Sequence, residues 1–348
     1  MPRLKRVSCS GPGLTRRRAG KGWAYYDAAG QRITDEATRA RIDALVLPPA
    51  WSDVWICAIP HGHIQATGVD AAGRRQYRYH DQWRVTRDLQ KHERILDFAE
   101  ALPPARDVLD AQITLPGMPR ERVLATAVRL LDLGFFRIGS EQYAKANETY
   151  GLATIRREHV TVSRDDVITF DYTAKSGKHR VQTIADPQVA EVVRSLKRRR
   201  DPHQELLAWK EGGAWVDVKS GDVNAHLQQT VGEGYTAKDF RTWNATVLTA
   251  VGLAVSEGAA SSTTARRRAV TRVVKEVADY LGNTPAVCRA SYIDPRIIDL
   301  YEHGVTVASE LDLLGLDTPT GEPATHGAVE QAVLRLLRAP APAAALAG

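Results

Sequence analysis

The stretch that decides the fold is residues 280–304, YLGNTPAVCRASYIDPRIIDLYEHG, in which helix boundaries follow one another closely. Gly282 predicts the end of one helix, because glycine adopts the left-handed closing conformation without strain. Thr284, with a proline after it, predicts the start of a short helix, and Asp294 predicts the next start in the same way. Tyr292 is therefore expected at the junction between two short helices.

A helix with two cations in its first turn is predicted upstream, in residues 235–251, YTAKDFRTWNATVLTAV. Thr236 and Asp239 match the capping-box pattern that begins a helix. Lys238 and Arg241 are three residues apart, so they share one face. Positive side chains are normally disfavoured at the positive end of a helix. Their presence indicates that an anion binds there.

Two connections each offer a further cation. In residues 134–143, GFFRIGSEQY, Arg137 lies between a helix that ends at a glycine and a helix for which Ser140 is the expected N-cap. In residues 166–185, apolar and polar residues alternate around a Ser-Gly pair, which predicts a β-hairpin. Lys175 lies at the tip of this hairpin.

Each of these residues, taken singly, has a purely structural interpretation. Tyr292 resembles a half-buried core tyrosine, Asn283 a residue that ends a helix, and Lys175 a solvated turn lysine. The interpretation changes only when the segments are considered together and in sequence order.

The chain is expected to fold as an α+β protein with a small β-rich domain and a larger, mostly helical domain. Residues 1–22 combine basic residues with glycines and are expected to be flexible, and the strand-like segments lie in residues 23–85. Further helical patterns occupy residues 186–200, 237–255 and 262–281. The predicted domains are 1–90 (β-rich), 91–320 (mostly α-helical) and 321–348 (a short helix and a flexible tail).

Charge points to a polyanionic partner. The 348 residues carry a net charge of +6, and the basic residues cluster, with seven before the first acidic residue and further runs at 197–200 and 266–268. Clustered positive charge is typical of nucleic-acid binding, although any single run is usually a solvated face. No apolar stretch is long enough to span a membrane.

No metal or cofactor is expected. The three cysteines form no CxxC pair, and the His-Gly-His at 61–63 has no supporting Cys or His spacing, so these histidines are interpreted as strand-turn residues. No carboxylate cluster of the kind used in two-metal catalysis is evident. The segment RRRAGKG lacks the glycine and the hydroxyl residue of a phosphate-binding P-loop.

The ordered set of an Arg before Ile-Gly, a hairpin lysine, KDFRT and LGNTPAVCRASYI resembles the type IB DNA topoisomerases, in particular their small poxvirus-like branch in bacteria. Residues 48–83, PPAWSDVWICAIPHGHIQATGVDAAGRRQYRYHDQW, are similar to the DNA-clamping β domain of that branch. The resemblance covers roughly residues 10–305. Each motif is weak by itself, but the complete ordered set is specific.

The resemblance implies a role for each matching residue. Tyr292 resembles the nucleophile, Arg137 and Arg241 the two catalytic arginines, and Lys175 the general acid of the hairpin. Asn283 stands where many members have a histidine, so hydrogen bonding replaces imidazole chemistry there. Lys238 resembles an auxiliary active-site lysine. Three further residues resemble those that read base edges in the major groove: Gln76, Tyr77 and Tyr79.

The function implied is relaxation of supercoiled double-stranded DNA through a 3′-phosphotyrosyl bond, without ATP, a nucleotide or a metal. Two arginine forks and an amide stabilise the developing charge, and Lys175 needs a lowered pKa to protonate the leaving oxygen. The fold is expected to form a clamp around DNA. The protein is expected to be a monomer in the cytoplasm, associated with the nucleoid.

Two alternatives remain open. A tyrosine recombinase shares the same Arg-Lys-Arg-Tyr logic, but that family normally has His-x-x-Arg where this chain has Lys238-x-x-Arg241. A DNA-binding protein without catalytic activity would use the same basic surfaces and would never bind DNA covalently.

Overall fold

The computed structural model describes residues 3–259, 262–314 and 325–339. The chain divides into two compact units, Met1–Glu93 and Arg94–Gly348. The first contains a small sheet and the second is largely helical, so the predicted α+β class is confirmed. Among the helices that the structure describes, none has the length and apolarity needed to cross a bilayer.

The first unit is built on a five-stranded antiparallel sheet of order β2-β1-β3-β4-β5. Its apolar side chains form a small core around Ile42 and Ile56, which are 1% and 0% exposed. The strands are β1 (Leu14–Ala19), β2 (Gly22–Tyr26), β3 (Ser52–Ile56), β4 (Ile64–Val69) and β5 (Arg75–Tyr79), and helix α1 (Glu36–Ala44) follows β2.

The expectation that residues 1–22 are flexible is wrong for β1. This strand pairs with β2 and β3, and Arg16 donates to the backbone carbonyls of Pro48 (2.6 Å) and Trp51 (2.9 Å). The Arg16 guanidinium also lies 4.1 Å from the ring centroid of Trp23. Local sequence predicts mobility from a run of arginines, but carbonyls distant in sequence give Arg16 fixed partners.

Helix α1 was also not anticipated, because residues 23–85 were interpreted as strands and turns. Its signal is an N-cap, since the Asp35 carboxylate accepts from the Thr38 N–H at 2.7 Å. Only one of its side chains, Ile42, is buried, so its apolar periodicity is too weak to predict a helix.

The second unit has a core that surrounds helix α3 (Arg120–Gly134), in which every residue from Arg122 onward is buried. Helix α2 (Asp81–Ile113) precedes it. The other helices are α4 (Glu141–Asn147), α5 (Pro187–Lys197), α6 (Ser220–Thr230), α7 (Ala237–Val255), α8 (Thr263–Leu281), α9 (Pro285–Ser291), α10 (Pro295–Glu302) and α11 (Ala328–Arg338).

Two small sheets complete the second unit: β6 (Val160–Val162), β7 (Val167–Ala174) and β8 (Lys178–Ala185) in one, and β9 (Ala208–Glu211) and β10 (Ala214–Asp217) in the other. The predicted hairpin is β7–β8. Ala174 pairs with Lys178, so the loop has three residues, of which Ser176 and Gly177 have φ angles of 67° and 70° that suit a tight hairpin turn.

The three predicted helical segments are confirmed as α5, α7 and α8, whereas α6 was not predicted. Helix α11 packs into the core of the second unit through Val333 and Leu337. The predicted flexible tail falls on residues 340–348, which lie outside the described residues.

Candidate active site

Helix α7 positions two of the candidate cations. Its first turn has the predicted capping box, in which the Asp239 carboxylate accepts from the Thr236 N–H at 2.8 Å. Asp239 also forms an ion pair of 2.5 Å with Arg94. This anchored first turn leaves Lys238 exposed and Arg241 buried.

Tyr292 lies at the C-cap of α9, as the sequence predicted, and its side chain is half-buried. Its N–H donates to the Cys288 carbonyl at 3.0 Å. Thr246, on α7, accepts from the Asp294 N–H at 3.1 Å and donates to the Tyr292 carbonyl at 3.4 Å. Sequence patterns do not predict this role for Thr246, because the residues it joins are more than 40 positions away.

Two cations lie against the Tyr292 ring. The Arg241 guanidinium carbon is 5.1 Å from the ring centroid, and the Lys238 ammonium nitrogen is 5.8 Å from it. Burial by itself raises the pKa of Tyr292, but the charge of Arg241, its hydrogen bond to the phenol and the charge of Lys238 together act against burial. With a smaller contribution from Arg137, the pKa of this phenol falls below its ordinary value, which favours the nucleophilic phenolate.

Arg241 and Arg137 bind the end of helix α8. Arg241 donates to the Leu281 carbonyl at 2.9 Å, and Arg137 donates to the Gly282 carbonyl at 3.3 Å and to the Asn283 side-chain oxygen. The last carbonyls of a helix lack partners within the helix, so they accept from these arginines. Burial lowers the pKa of Arg241 to about 10, and the charge of Arg137 acts in the same direction.

Asn283 presents a donor with no partner of its own. Because a guanidinium only donates, the side-chain oxygen of Asn283 must face Arg137, and its amide nitrogen points elsewhere. Among the described residues, this buried nitrogen has no hydrogen-bond partner, and the same holds for Nε of Arg241. Buried donors are normally paired, so these two are available to an anion.

The backbone of Arg137 is fixed by a neighbouring turn. Its carbonyl accepts from the Leu152 N–H at 2.8 Å, and Gly151 lies so close that an added Cβ would be 2.6 Å from the same oxygen. Burial lowers the pKa of the Arg137 guanidinium. Ser140 occupies the N-cap position of α4, as predicted, but no capping bond from its side chain is found in the described part of the chain.

Lys175 lies exposed at the tip of the β7–β8 hairpin. It lines a cavity of about 200 Å³ together with Arg137, Ser140 and Tyr150. No contact between Lys175 and Tyr292 is found within the described ranges. The structure therefore places Lys175 at the same cavity as Arg137.

The three predicted base-reading residues lie on β5 but not on one face of it. Tyr77 and Tyr79 are 45% and 36% exposed, and their rings stack with centroids 5.9 Å apart. Gln76 directly precedes Tyr77 in the strand, so strand alternation directs its side chain to the other face. Its amide donates to Asp70 at 2.9 Å.

One group of metal-ligand type occurs in the part of the chain that the structure describes. Its members, His203, Glu205 and Asp217, have ligand atoms within 4.8 Å of one another. His203 lies 3.0 Å from Asp217, and the buried guanidinium of Arg199 lies 3.6 Å from the same carboxylate. None of the candidate catalytic residues belongs to this group.

Comparisons with known proteins agree with this geometry. The family "Eukaryotic DNA topoisomerase I, catalytic core" matches residues 80–303, which is more than half of the chain, and "Bacterial DNA topoisomerase IB, N-terminal domain" matches residues 22–70. The chain is 29% identical to DNA topoisomerase 1B of Acanthamoeba polyphaga mimivirus over 84% of its own length and 88% of the relative.

More distant relatives share the same region. DNA topoisomerase 1B of vaccinia virus (strain Copenhagen) is 19% identical over 67% of this chain and 71% of the viral protein. DNA topoisomerase 1 of Daucus carota is 26% identical over 47% of this chain, but the match covers only 20% of that longer protein.

Proposed function

This chain belongs to the type IB DNA topoisomerases, and we propose that it relaxes supercoiled double-stranded DNA with Tyr292 as its nucleophile. The observation that carries the proposal is the half-buried phenol of Tyr292, flanked by Arg241 and Lys238, beside two buried donors that lack partners among the described residues. A phosphodiester supplies the anion that such a site requires.

In the proposed cleavage step, the Tyr292 oxygen attacks phosphorus and the bond from phosphorus to the 5′ oxygen breaks. The phenolic proton passes to solvent water, and the Lys175 ammonium gives a proton to the departing 5′ oxygen and is left as a neutral amine. The 3′ polarity of the covalent bond follows from the family. Because the phosphotyrosyl bond conserves the energy of the broken phosphodiester, the free 5′ hydroxyl reseals the strand without ATP.

The negative charge that develops on the non-bridging oxygens is stabilised by Arg137, Arg241 and the Asn283 amide. An arginine in such a position contributes roughly 10³–10⁵ to the rate of phosphoryl transfer. Preorganised donors are effective because they need no rearrangement as charge develops. The support for this assignment is that both arginines are already oriented by carbonyls of helix α8.

We also propose that the first unit holds DNA, so that the protein closes around the duplex as a clamp. The exposed, stacked rings of Tyr77 and Tyr79 favour contact with bases, whereas Gln76 must leave Asp70 before it can contact DNA. We propose a monomer that acts in the cytoplasm on nucleoid DNA, with no nucleotide.

The proposal is tested by relaxation of supercoiled plasmid with EDTA and without ATP, together with denaturant trapping of a protein–DNA adduct. The wild-type protein is expected to relax the plasmid and form the adduct. Tyr292→Phe is expected to bind DNA but do neither. Relaxation by Tyr292→Phe would contradict the assignment of the nucleophile.

A matched control is Tyr301→Phe. Tyr301 is buried on α10, and its hydroxyl has no partner among the described residues, so its loss should leave relaxation unchanged. Binding without any adduct would instead indicate a non-enzymatic DNA-binding protein, and exchange of strands between two defined duplexes would indicate a recombinase.

A further inference from the structure

The last turn of helix α8 contains no basic residue of its own, yet arginines from three other elements bind it. Arg241 and Arg137 bind the carbonyls of Leu281 and Gly282, as described above. The two preceding carbonyls are bound by Arg180, a residue that has no part in the proposed chemistry.

Arg180 forms a fork on the helix end. Its Nη1 donates to the Asp279 carbonyl at 3.0 Å and its Nη2 donates to the Tyr280 carbonyl at 2.6 Å. An added Cβ on Gly282 would lie 2.6 Å from Nη1, so the guanidinium packs directly against the backbone that leads into Asn283. The planar fork matches two adjacent carbonyls, which a lysine ammonium cannot do equally well.

Arg180 lies on β8, five residues beyond Lys175, in the strand that leaves the hairpin tip. Its cross-strand neighbour is the buried Tyr172. The Tyr172 hydroxyl donates to Gln182 at 2.9 Å, and Gln182 in turn donates to the Gly134 carbonyl at the end of α3. Strand β8 is therefore joined to the end of α8 and to the end of α3.

These two attachment points lead into catalytic residues. The chain from the end of α8 continues into Asn283, and the chain from the end of α3 continues into Arg137. The hairpin itself carries Lys175 at its exposed tip. Strand β7 anchors the hairpin in the core through Phe170 and Ala174, and the bonds from β8 attach it directly to the two segments that carry the phosphate-binding donors.

We propose that Arg180 is a positioning residue that fixes the β7–β8 hairpin, and with it Lys175, relative to the Asn283–Arg137 pair. The inference rests on the proposed function, since it assigns roles to those three residues. Arg180 acts through the carbonyls of α8 and makes no contact with DNA. Its loss therefore slows the cleavage step and leaves the affinity for DNA almost unchanged.

The experiment compares Arg180→Ala and Arg180→Lys with the wild type in single-turnover cleavage of a duplex oligonucleotide. Misplacement of a catalytic group by about 1 Å costs about 10²-fold in rate, which is the loss expected for Arg180→Ala. Arg180→Lys, which restores one cation, should recover part of the rate. The matched control is Arg164→Ala, an exposed arginine in the turn between β6 and β7, which should cleave as the wild type does.

Two further measurements separate positioning from other roles. DNA affinity is measured in the Tyr292→Phe background at several salt concentrations. We expect Arg180→Ala to change the dissociation constant for DNA by less than about 2-fold, whereas a tenfold change would correspond to about 1.4 kcal/mol of binding free energy. In a double-mutant cycle with Asn283→Ala, the loss caused by Arg180→Ala should be much smaller than in the wild type, because the two residues act through one unit.

Several results would overturn the proposal. Weaker binding with a salt slope reduced by about one would mean that Arg180 contacts a phosphate. If Arg180→Ala lowers the cleavage rate equally with and without Asn283→Ala, then Arg180 acts independently of Asn283. If Arg180→Ala and Arg180→Lys both lower the thermal midpoint but cleave normally below it, then Arg180 contributes only to stability. If the wild type forms no adduct, the proposed function fails, whereas a normal adduct with undiminished cleavage by Arg180→Ala contradicts the role of Arg180 alone.

Discussion

At the scale of single residues, Asn283 illustrates how one contact determines what a side chain offers. Arg137 occupies its oxygen and leaves its amide nitrogen as an unpaired buried donor within the described part of the chain. An amide also does not ionise near neutral pH. The site therefore has a hydrogen-bond donor at this position and no acid or base.

The effect of a substitution at Asn283 on the cleavage rate should depend on whether the new side chain offers a hydrogen-bond donor, and not on its size. Asn283→Ala removes one preorganised donor, which costs about 10²–10³ in the rate of cleavage. Asn283→His should lower the cleavage rate less than Asn283→Ala does, because imidazole also presents an N–H. Asn283→Asp should lower the cleavage rate more than Asn283→Ala does, because a carboxylate would repel the phosphate.

The measurement is the single-turnover cleavage rate, with DNA affinity determined separately in the Tyr292→Phe background. If Asn283→Asp cleaves as fast as the wild type, then the nitrogen of Asn283 does not act as a donor to the phosphate.

The pH dependence of the cleavage rate should show how the cations around Tyr292 change the pKa of its phenol. Cleavage requires loss of the phenolic proton, so the rate rises with pH through the pKa of Tyr292. Lys238 helps to lower that pKa, against the effect of burial. Lys238→Met should therefore raise the pKa of Tyr292 and move the rising limb of the pH–rate profile to higher pH, with the largest loss of rate at low pH.

A profile of single-turnover rates between about pH 5 and pH 10 tests this, since the ordinary pKa of a tyrosine is about 10. Lys210→Met, which removes an exposed lysine on β9, serves as the control and should leave the profile in place. A uniform loss of rate at every pH would show that Lys238 acts on the phosphate and not on the phenol.

At the scale of elements, the end of α8 is where most of the site is organised. Gly282 closes this helix with a φ of 63°, a conformation that costs other residues about 1–2 kcal/mol. Immediately beyond it lies Asn283, and alongside it lies Arg180. The geometry of this helix end therefore affects stability and catalysis together.

Gly282→Ala should lower both the thermal midpoint and the cleavage rate, because the new Cβ strains the helix end and displaces Arg180. Gly304→Ala is a suitable control. Gly304 has a similar φ of 78°, but its added Cβ would meet only the Arg266 guanidinium at 3.9 Å. The control should lose stability and keep its cleavage rate below the thermal midpoint. An equal loss of cleavage in both variants would refute a local effect at Gly282.

At the scale of the whole molecule, the second unit is joined by a buried ion network that involves three helices. Arg106 on α2 contacts Asp132 on α3 at 2.8 Å and Glu330 on α11 at 2.7 Å. Glu330 also accepts from the indole of Trp243 on α7 at 2.5 Å. Helix α11 thus supplies a charge that the core requires.

Glu330→Ala should destabilise the second unit by about 3–5 kcal/mol, because it leaves the buried guanidinium of Arg106 with one partner fewer. Denaturant unfolding followed by tryptophan fluorescence measures the loss. Arg335→Ala, an exposed position on the same helix, should change stability by no more than about 0.5 kcal/mol. Equal stability of Glu330→Ala and the wild type would mean that α11 contributes little to folding.

Much of the local structure could be predicted from the sequence. The sequence predicts the end of α8, the starts of α9 and α10, the capping box of α7 and the hairpin tip, and all of them are observed. The small type IB topoisomerase family was also identified and is confirmed by the comparisons. The caps and turns depend on residues within a few positions of one another, and the family depends on the order of motifs along the chain, so the sequence alone determines both.

Other features depend on residues far apart in the chain, and only the tertiary structure decides them. The basic run at 197–200 was interpreted as a charged surface, but Arg199 is buried and donates to the Leu206 carbonyl. Arg180 binds carbonyls 99 and 100 residues away, and Glu330 lies 224 residues from Arg106. Helix caps and turns are fixed by nearest neighbours, whereas the partner of a long charged side chain is fixed only when distant segments pack together.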